Sequence, residues 1–187
     1  MQSVFRYDEA LKGYTDFGFQ QTGSFQIGVS TLRTALEKKA TNTSSKSFDQ
    51  FLNNRFVIAQ RYAAEDPRSV GATQSGFPKG YTNKNQDVLI SSFVSAYTGK
   101  NAQDQKLDLF PKIPFPSIRI NYNGLSRMKA IKKYASSVTL SSFYSSTYNI
   151  PQYMTILSRN DTAVSSLDSN FFPQYEIRSV TIQESFN

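Results

Sequence analysis

The sequence contains no cysteine, no histidine and no tryptophan. The absence of cysteine excludes a disulfide framework, a thiolate metal site and a cysteine nucleophile. The absence of histidine removes the commonest general base and metal ligand, together with any Ser-His-Asp triad. The carboxylates are scattered without a metal-site spacing, and Gly76–Gly80 lacks the Gly-Lys-Ser/Thr ending of a phosphate-binding loop. We therefore predict a protein that is not an enzyme and holds no metal or cofactor.

Long hydrophobic runs are missing as well. No run of about 18 apolar residues occurs, so no transmembrane helix is predicted, and the N-terminus lacks the apolar core and cleavage site of a signal peptide. Apolar surface is concentrated in the rings of 11 tyrosines and 15 phenylalanines, which favours β structure. The strand-like segment Tyr175–Asn187 stops without a closing turn, so we expect a fragment of a longer protein.

The chain divides into three parts. Residues 1–46 contain a predicted strand from Phe17 to Thr31, which would reach roughly 50 Å. A membrane-spanning strand needs only about 9–11 residues, and a long twisted strand of a soluble sandwich is the alternative. Residues 47–100 are predicted to form a two-helix insertion. Residues 101–187 return to β structure, with a hairpin, a basic turn, a polar loop and a further strand whose phase changes near Arg178–Ser179, which predicts a bulge.

The first helix of the insertion is expected to begin at Ser47, which forms a capping box with Gln50. The helix should end before Pro67, because the residue before a proline disfavours helical geometry. The segment Ser69–Lys84 is rich in glycine, serine and proline, and it is predicted to be a loop.

The second helix of the insertion is predicted over Gln86–Thr98. Asn85 provides the N-cap, Asp87 suits the positive helix end, and Gly99 suits the left-handed position after the last turn. Apolar residues on both helices follow helical spacing. We interpret these stripes as packing faces rather than as cofactor sites.

The hairpin alternates polar and apolar residues in both of its strands, at Ser117–Asn123 and Ser136–Ile150. Such alternation predicts one face in an apolar medium and one in water. The apolar face consists of Ile118, Ile120, Tyr122, Val138, Leu140, Tyr144 and Tyr148. The polar face includes Arg119, Asn121, Asn123, Thr139, Ser141 and Thr147. Alternation alone leaves open whether the apolar medium is a protein core or a lipid bilayer.

The segment that joins the two hairpin strands is basic. Between Lys100 and Tyr134 eight basic residues stand against two acidic ones, and those in the turn are Arg127, Lys129, Lys132 and Lys133. Apolar residues recur at every third position among them, a pattern that can lie at a membrane interface with its cations among lipid phosphates. A solvated surface turn is the alternative, and the interleaved aromatic residues also allow a nucleic-acid-binding module.

The order and spacing of short segments along the chain is distinctive. The segments are Phe51–Arg55, Asn85–Ile90, Ala96–Gly99, Ile113–Pro116, Arg119–Ser126, Val138–Ser141, Ser146–Tyr148 and Tyr175–Phe186. Together they resemble the SprA/Sov family, the outer-membrane translocon of the type-IX secretion system of the Bacteroidetes, which serves gliding motility and the export of cell-surface proteins. The resemblance covers most of residues 17–187.

The resemblance implies the fold and the surroundings of the chain. It implies a mainly β fold with a helical insertion (α+β), whose long antiparallel strands belong to one large transmembrane β-barrel. The number of strands in that barrel would be near the top of the known range, about 36. The apolar face of the hairpin would meet lipid, the polar face would line a protein-conducting lumen, and residues 47–100 would form part of a cap or mouth. The basic turn would be periplasmic, with Ser47–Lys100 and Pro151–Asn170 on the outer side.

The same resemblance implies the partners. They are the rest of the barrel, secreted cargo proteins, a PorV-like shuttle barrel, a periplasmic plug and outer-membrane lipid, with no nucleic acid. A soluble, secreted, β-rich surface-binding module, for glycans or like an adhesin, and a basic nucleic-acid-binding module are the alternatives. Folded monomers without detergent would favour the first alternative, because barrel strands with open edges should aggregate. Salt-sensitive binding to generic DNA or RNA would favour the second.

Overall fold

The computed structural model describes residues 2–35, 45–73, 75–157 and 175–187. The chain has a mixed α and β fold. Its strands are β1 Gln2–Asp8, β2 Gly13–Gln20, β3 Thr22–Gly28, β4 Ile118–Tyr122, β5 Leu140–Thr155, β6 Tyr175–Ile177 and β7 Thr181–Phe186. Its helices are α1 Leu32–Ala35, α2 Lys46–Glu65, α3 Gln86–Thr98 and α4 Lys129–Lys132, with a 3₁₀ helix at Gly124–Arg127. Among the described helices none is long and apolar enough to cross a membrane.

Strand β5 lies at the centre of an antiparallel sheet of five strands. Tyr144 pairs with Ile118 of β4 and with Phe186 of β7, so these two strands lie on opposite edges of β5. By the same reasoning β3 lies on the same side of β5 as β4, and β6 lies on the same side as β7. The described sheet is open, and β1 and β2 form a separate two-stranded sheet. The predicted α+β class with antiparallel strands is confirmed.

The long strand predicted over Phe17–Thr31 is divided, so this prediction is wrong. Strand β2 ends at Gln20 and pairs with β1, whereas β3 begins at Thr22 and pairs with β5. The carbonyl of Gln21 already accepts a hydrogen bond from the backbone N–H of Thr155 at 2.8 Å. The hydrogen-bonding partner therefore changes at one residue, and neither half reaches the length of a spanning strand.

Helix α2 begins earlier than predicted. The N-cap is Ser45, whose hydroxyl accepts a hydrogen bond from the N–H of Phe48 at 3.2 Å. Ser47 is instead buried in the first turn, so the predicted capping box with Gln50 is wrong. The predicted end before Pro67 is confirmed, because α2 ends at Glu65.

Helix α3 has the bounds that its local sequence predicts. The side chain of Asn85 accepts a hydrogen bond from the N–H of Asp87 at 2.9 Å, which satisfies one of the free donors of the first turn. Gly99 has a φ of 65° and ends the helix in the left-handed conformation.

The helical insertion packs on one face of the larger sheet. One buried cluster joins α2, α3 and the loops around them through Ile58, Ala59, Tyr81, Val88 and Ala102. A second cluster joins α3 and the segment after it to the sheet through Ile90, Leu109, Tyr148, Ile150 and Ile177. Burial of an apolar side chain of this size stabilises a fold by about 1.5–3 kcal/mol. Helix α3 therefore belongs to both clusters and fixes the insertion on β5.

The predicted hairpin is confirmed, but its second strand begins at Leu140 rather than at Ser136 and ends beyond Ile150. Strand β5 extends to Thr155 and so includes the first five residues of the predicted loop Pro151–Asn170; residues 158–174 lie outside the described residues. Pro151 and Gln152 lie between the paired residues Ile150 and Tyr153, opposite the single residue Ser24 of β3. This bulge changes the face to which β5 directs its side chains.

The predicted irregularity near Arg178–Ser179 lies opposite the bulge of β5. Strand β6 ends at Ile177 and β7 begins at Thr181, while the register with β5 is the same on both sides. Pro151 has no N–H to donate to the facing strand. The predicted change of phase in the last strand is therefore confirmed, but the predicted bulge is wrong for that strand, because the register shift lies between β5 and β3.

Substitution of Gly28 by alanine should destabilise the fold. An added Cβ at Gly28 would overlap the carbonyl oxygen of Phe115, where the N–H of Phe115 donates to the carbonyl of Gly28 at 2.9 Å. Overpacking of this kind costs about 1–3 kcal/mol, which urea unfolding followed by circular dichroism would measure. Gly13→Ala is the matched control, because its Cβ would meet its nearest neighbour at 3.7 Å. Equal midpoints for the two variants would contradict the contact.

Candidate functional site

The two faces of the five-stranded sheet differ in chemistry. Residues that pair across β5 share a face, and the odd positions of β5 from Ser141 to Asn149 define a polar face. Its described members are Gln26, Arg119, Asn121, Ser141, Phe143, Ser145, Thr147, Asn149, Thr181, Gln183 and Ser185. All of these side chains are exposed or half-buried. Arg119 is the one charged residue among them, so the polar face is rich in hydroxyl and amide groups and nearly uncharged.

The polar face is ordered by contacts between paired residues of β4 and β5. The hydroxyl of Ser141 donates to the side-chain oxygen of Asn121 at 3.0 Å. The guanidinium carbon of Arg119 lies 5.3 Å from the centroid of the Phe143 ring, a cation–π distance. Phe143, the one aromatic side chain on the polar face, is thus in contact with the one charged side chain there.

The predicted lumen-facing set is only partly brought together. Arg119, Asn121, Ser141 and Thr147 share the polar face. Asn123 and Thr139 lie just outside the strand ends, where both are exposed. The register of β4 against β5 therefore places four of the six predicted residues on one surface.

The apolar face is exposed at the end of the sheet nearest the basic turn. Ile120, Tyr122 and Leu140 expose 59%, 50% and 56% of their surface, and Tyr122 pairs with Leu140. Ile118 and Val138 are half-buried. Large apolar side chains thus remain uncovered on this part of the face, as a contact with lipid or with another protein requires.

Tyr144 and Tyr148 correct the predicted lipid-facing set. Both are buried, and Tyr148 has no exposed surface. The hydroxyl of Tyr144 accepts a hydrogen bond from the N–H of Thr31 at 2.7 Å and lies 2.9 Å from its hydroxyl. The hydroxyl of Tyr148 donates to the carbonyl of Leu109 at 3.2 Å, and burial raises the pKa of Tyr148. Neither side chain can meet lipid, because other parts of the chain cover this half of the apolar face.

The basic turn is helical and exposed. Its four cationic side chains, Arg127, Lys129, Lys132 and Lys133, are exposed. Met128 and Tyr134 beside them expose 54% and 84% of their surface. Ser126 fixes the turn to the start of the second strand, because its hydroxyl donates to the carbonyl of Val138 at 3.1 Å and accepts from the N–H of Val138 at 2.9 Å. The basic turn is therefore a short, anchored segment that exposes four cations, the ring of Tyr134 and the thioether of Met128.

A second exposed apolar surface lies on the β1–β2 hairpin, which the sequence analysis missed. Phe5, Tyr7, Tyr14 and Phe19 expose 62%, 47%, 75% and 58% of their surface. Tyr7 pairs with Tyr14 across the two strands, with ring centroids 5.4 Å apart. Phe5 and Tyr7 stand at alternate positions, a pattern that predicts the strand β1. Lys12, in the turn between β1 and β2, has a φ of 51°.

The pKa shifts of Asp66 and Tyr62, two residues of the insertion, have structural causes. Asp66 accepts hydrogen bonds from the guanidinium of Arg68 at 2.8 and 2.9 Å and from the hydroxyl of Tyr81 at 3.0 Å. The Arg68 bonds lower the pKa of Asp66 to about 2. Burial raises the pKa of Tyr62. Across the described ranges no group of three acidic, histidine or cysteine side chains could hold a metal ion.

Comparison with known proteins does not assign the chain to a family. No protein-family model and no curated protein matches it. The interpretation of the site therefore depends on its geometry, namely a nearly uncharged polar face, an apolar face that α3 covers only in part, and an exposed basic turn.

Replacement of Tyr144 by phenylalanine should destabilise the fold. It would leave the N–H of Thr31, a residue with no exposed surface, without its partner, at a cost of about 1–3 kcal/mol. Urea unfolding would measure the loss. Tyr134→Phe is the control, because the Tyr134 side chain is 84% exposed and should change stability little. A neutral or stabilising effect of Tyr144→Phe would contradict the contribution of its hydrogen bond to Thr31.

Proposed function

We propose that the chain is a fragment of a protein-conducting translocon in the bacterial outer membrane. The five-stranded sheet would supply part of the barrel wall, and α2 and α3 would supply part of a cap at one mouth. Folded cargo proteins would pass along the polar face. The resemblance to the SprA/Sov family motivates this proposal, and the chemistry of the two sheet faces supports it.

The polar face is the observation that carries the proposal. A lumen wall that folded proteins must pass should be wet and should not bind them strongly. Side chains such as Asn121, Ser141 and Gln183 hydrogen-bond readily to water, and they offer neither an apolar patch nor a field of one charge. A closed transmembrane barrel with such an interior satisfies its backbone between strands and its lumen side chains with water.

The apolar face and the basic turn fit a lipid environment rather than a water-filled lumen. Strand β5 has 16 residues and would reach roughly 50 Å, which is longer than the hydrocarbon core of about 30 Å. The exposed residues Ile120, Tyr122 and Leu140 would meet lipid, and the half of β5 under α3 would extend beyond the bilayer. The basic turn would lie among lipid phosphates on the periplasmic side.

The partners follow from the same arrangement. The rest of the barrel would pair with the sheet, cargo would meet the polar face, and outer-membrane lipid would meet Ile120 and its neighbours. A PorV-like shuttle barrel and a periplasmic plug are proposed from the family resemblance alone. Nucleic acid is not among the proposed partners.

Single-cysteine variants would test the assignment of the two faces. The chain has no native cysteine, and Ile120 and Asn121 are neighbours that lie on opposite faces. In outer-membrane vesicles Asn121→Cys should react with a water-soluble maleimide at least about tenfold faster than Ile120→Cys. A fluorophore on the cysteine of Ile120→Cys should be quenched by spin-labelled lipid, because that side chain faces the hydrocarbon. Leu140→Cys and Ser141→Cys form a second matched pair.

A glycan-binding module is the second candidate, and the burial of Tyr148 and Ile150 is the observation that favours it. Helix α3 gives the sheet a protein core on one side, as a soluble module requires, and the amide-rich polar face could bind sugars. This module would label at both members of each cysteine pair and would remain monomeric without detergent. Equal labelling of Ile120→Cys and Asn121→Cys, without lipid quenching, would therefore overturn the translocon proposal.

A further inference from the structure

The outer edge of β6 is closed by a side chain from α3. The side-chain N–H of Gln86 donates to the carbonyl of Tyr175 at 2.7 Å, and the N–H of Ile177 donates to the side-chain oxygen of Gln86 at 3.0 Å. The amide of Gln86 thus makes the two bonds that a neighbouring strand would make. A strand that pairs with β6 would have to displace this side chain, so β6 is a protected edge.

The outer edge of β7 has no such closure among the described residues. Asn187 and Phe143 exchange both backbone hydrogen bonds, at 3.1 and 3.2 Å. In an antiparallel pair the bonded positions alternate, so the odd residues of β7 bond to β5. Ile182, Glu184 and Phe186 therefore direct their N–H and C=O groups away from β5, and no described strand pairs with them.

We propose that the β7 edge accepts one further antiparallel strand, and that Gln86 stops the pairing before β6. The inference rests on the proposed function, since in a barrel the added strand would be the neighbouring wall strand. The available edge runs from Thr181 to Phe186. It offers the outward backbone N–H and C=O groups of Ile182, Glu184 and Phe186. An added strand of about six residues, the ordinary length in sheets, fills it.

The side chains of β7 define the chemistry of the added strand. Ile182 and Phe186 lie on the apolar face, where they pair with Tyr148 and Tyr144 of β5. Glu184 lies between them and is exposed. Residues directly opposite on neighbouring strands interact most strongly. The accepted segment should therefore read apolar–polar–basic–polar–apolar, with its lysine or arginine opposite Glu184.

Glu184 also argues against a second copy of this chain as the occupant. Two β7 strands that pair antiparallel with their apolar residues aligned would bring Glu184 opposite Glu184. Like charges directly opposite are destabilising, and charged residues on edge strands are a known protection against self-pairing. The edge is thus open to a basic partner strand and disfavours its own copy.

A synthetic peptide would test the edge. The labelled peptide Thr-Val-Thr-Lys-Thr-Val-Thr would be titrated with the full chain in detergent and followed by fluorescence anisotropy. Glu184→Lys should weaken binding about two- to fivefold, the size of a cross-strand charge pair. A peptide with glutamate in place of its lysine should recover the binding. Glu184→Pro should weaken both peptides at least about tenfold, because it removes an outward N–H and spares the bonds to β5.

Gln86→Ala would test the closure of β6. A peptide extended by about seven residues toward β6, enough to reach Tyr175 and to form a bulge on the way, should gain little affinity for the native chain and about tenfold for the variant. Gln103→Ala, at an exposed position outside the sheet, is the control. An equal gain for both chains would overturn the role of Gln86. Unchanged binding after Glu184→Pro, or dimers of the native chain by light scattering, would overturn strand addition by a basic partner.

The peptide assay tests the β7 edge, whereas the cysteine labelling tests the translocon proposal, so a negative result in one leaves the other proposal standing. Peptide binding without face-specific labelling would support a strand-accepting edge on a soluble module and would contradict only the translocon. Face-specific labelling without peptide binding would contradict the β7 edge and leave the membrane proposal standing.

Discussion

The hydrogen-bond ladder of β5 is the constraint on which the rest of the structure depends. Every other strand of the larger sheet pairs with it, and its 16 residues hold two short strands end to end on each edge. Strands such as β6, with three residues, could not be stable alone. Because side chains alternate along a strand, the register of β5 also decides which residues of its neighbours share the polar face. A shift of one residue would exchange the two faces.

Helix α3 divides the apolar face into a covered and an exposed half. Ile90 of α3 belongs to the cluster that buries Tyr148 and Ile150, and such burial provides most of the stability of the contact. Beyond this cover the same face carries the exposed side chains of Ile120 and Leu140. One sheet therefore meets its own core along one half and its surroundings along the other. A monomeric protein in water would leave that second half as an apolar patch, which folded proteins usually reserve for a partner or a membrane.

The features that the sequence predicts best are those decided by near neighbours. The ends of α3 follow from Asn85 and Gly99, whose side-chain acceptor and left-handed backbone act within one helical turn. The predicted start of α2 is two residues late because Ser45 and Ser47 are both good capping residues, and the local sequence does not choose between them. Alternation through Gln21 continues unbroken although the pairing partner changes there, so the sequence pattern could not reveal the division of β2 from β3.

The sequence predicts which residues share a face better than it predicts what covers that face. Alternation decides which side chains share a face, but not what covers that face. Asn121 and Ser141 needed only the register of one hairpin to come together. Tyr148 is covered by Leu109, which is far from it in sequence, and no local pattern reports that contact. The sequence therefore predicts faces, whereas the medium of each face depends on long-range packing.

The bulge at Pro151 connects the exposed apolar surface with the state of the sheet edges. It changes the outward-pointing backbone groups from odd residues in β6 to even residues in β7, so a strand that pairs with both needs a bulge of its own at this point. The half of the sheet near α3 has its apolar face covered and its β6 edge closed by Gln86. The edge of β7 has no such closure among the described residues, although β7 pairs with the covered residues Tyr144 and Tyr148 of β5. The apolar face is exposed farther along the sheet, at Ile120 and Leu140. A self-sufficient domain would gain stability by protecting both halves. The described residues therefore leave two surfaces of the sheet uncovered, the apolar face at Ile120 and Leu140 and the outer edge of β7.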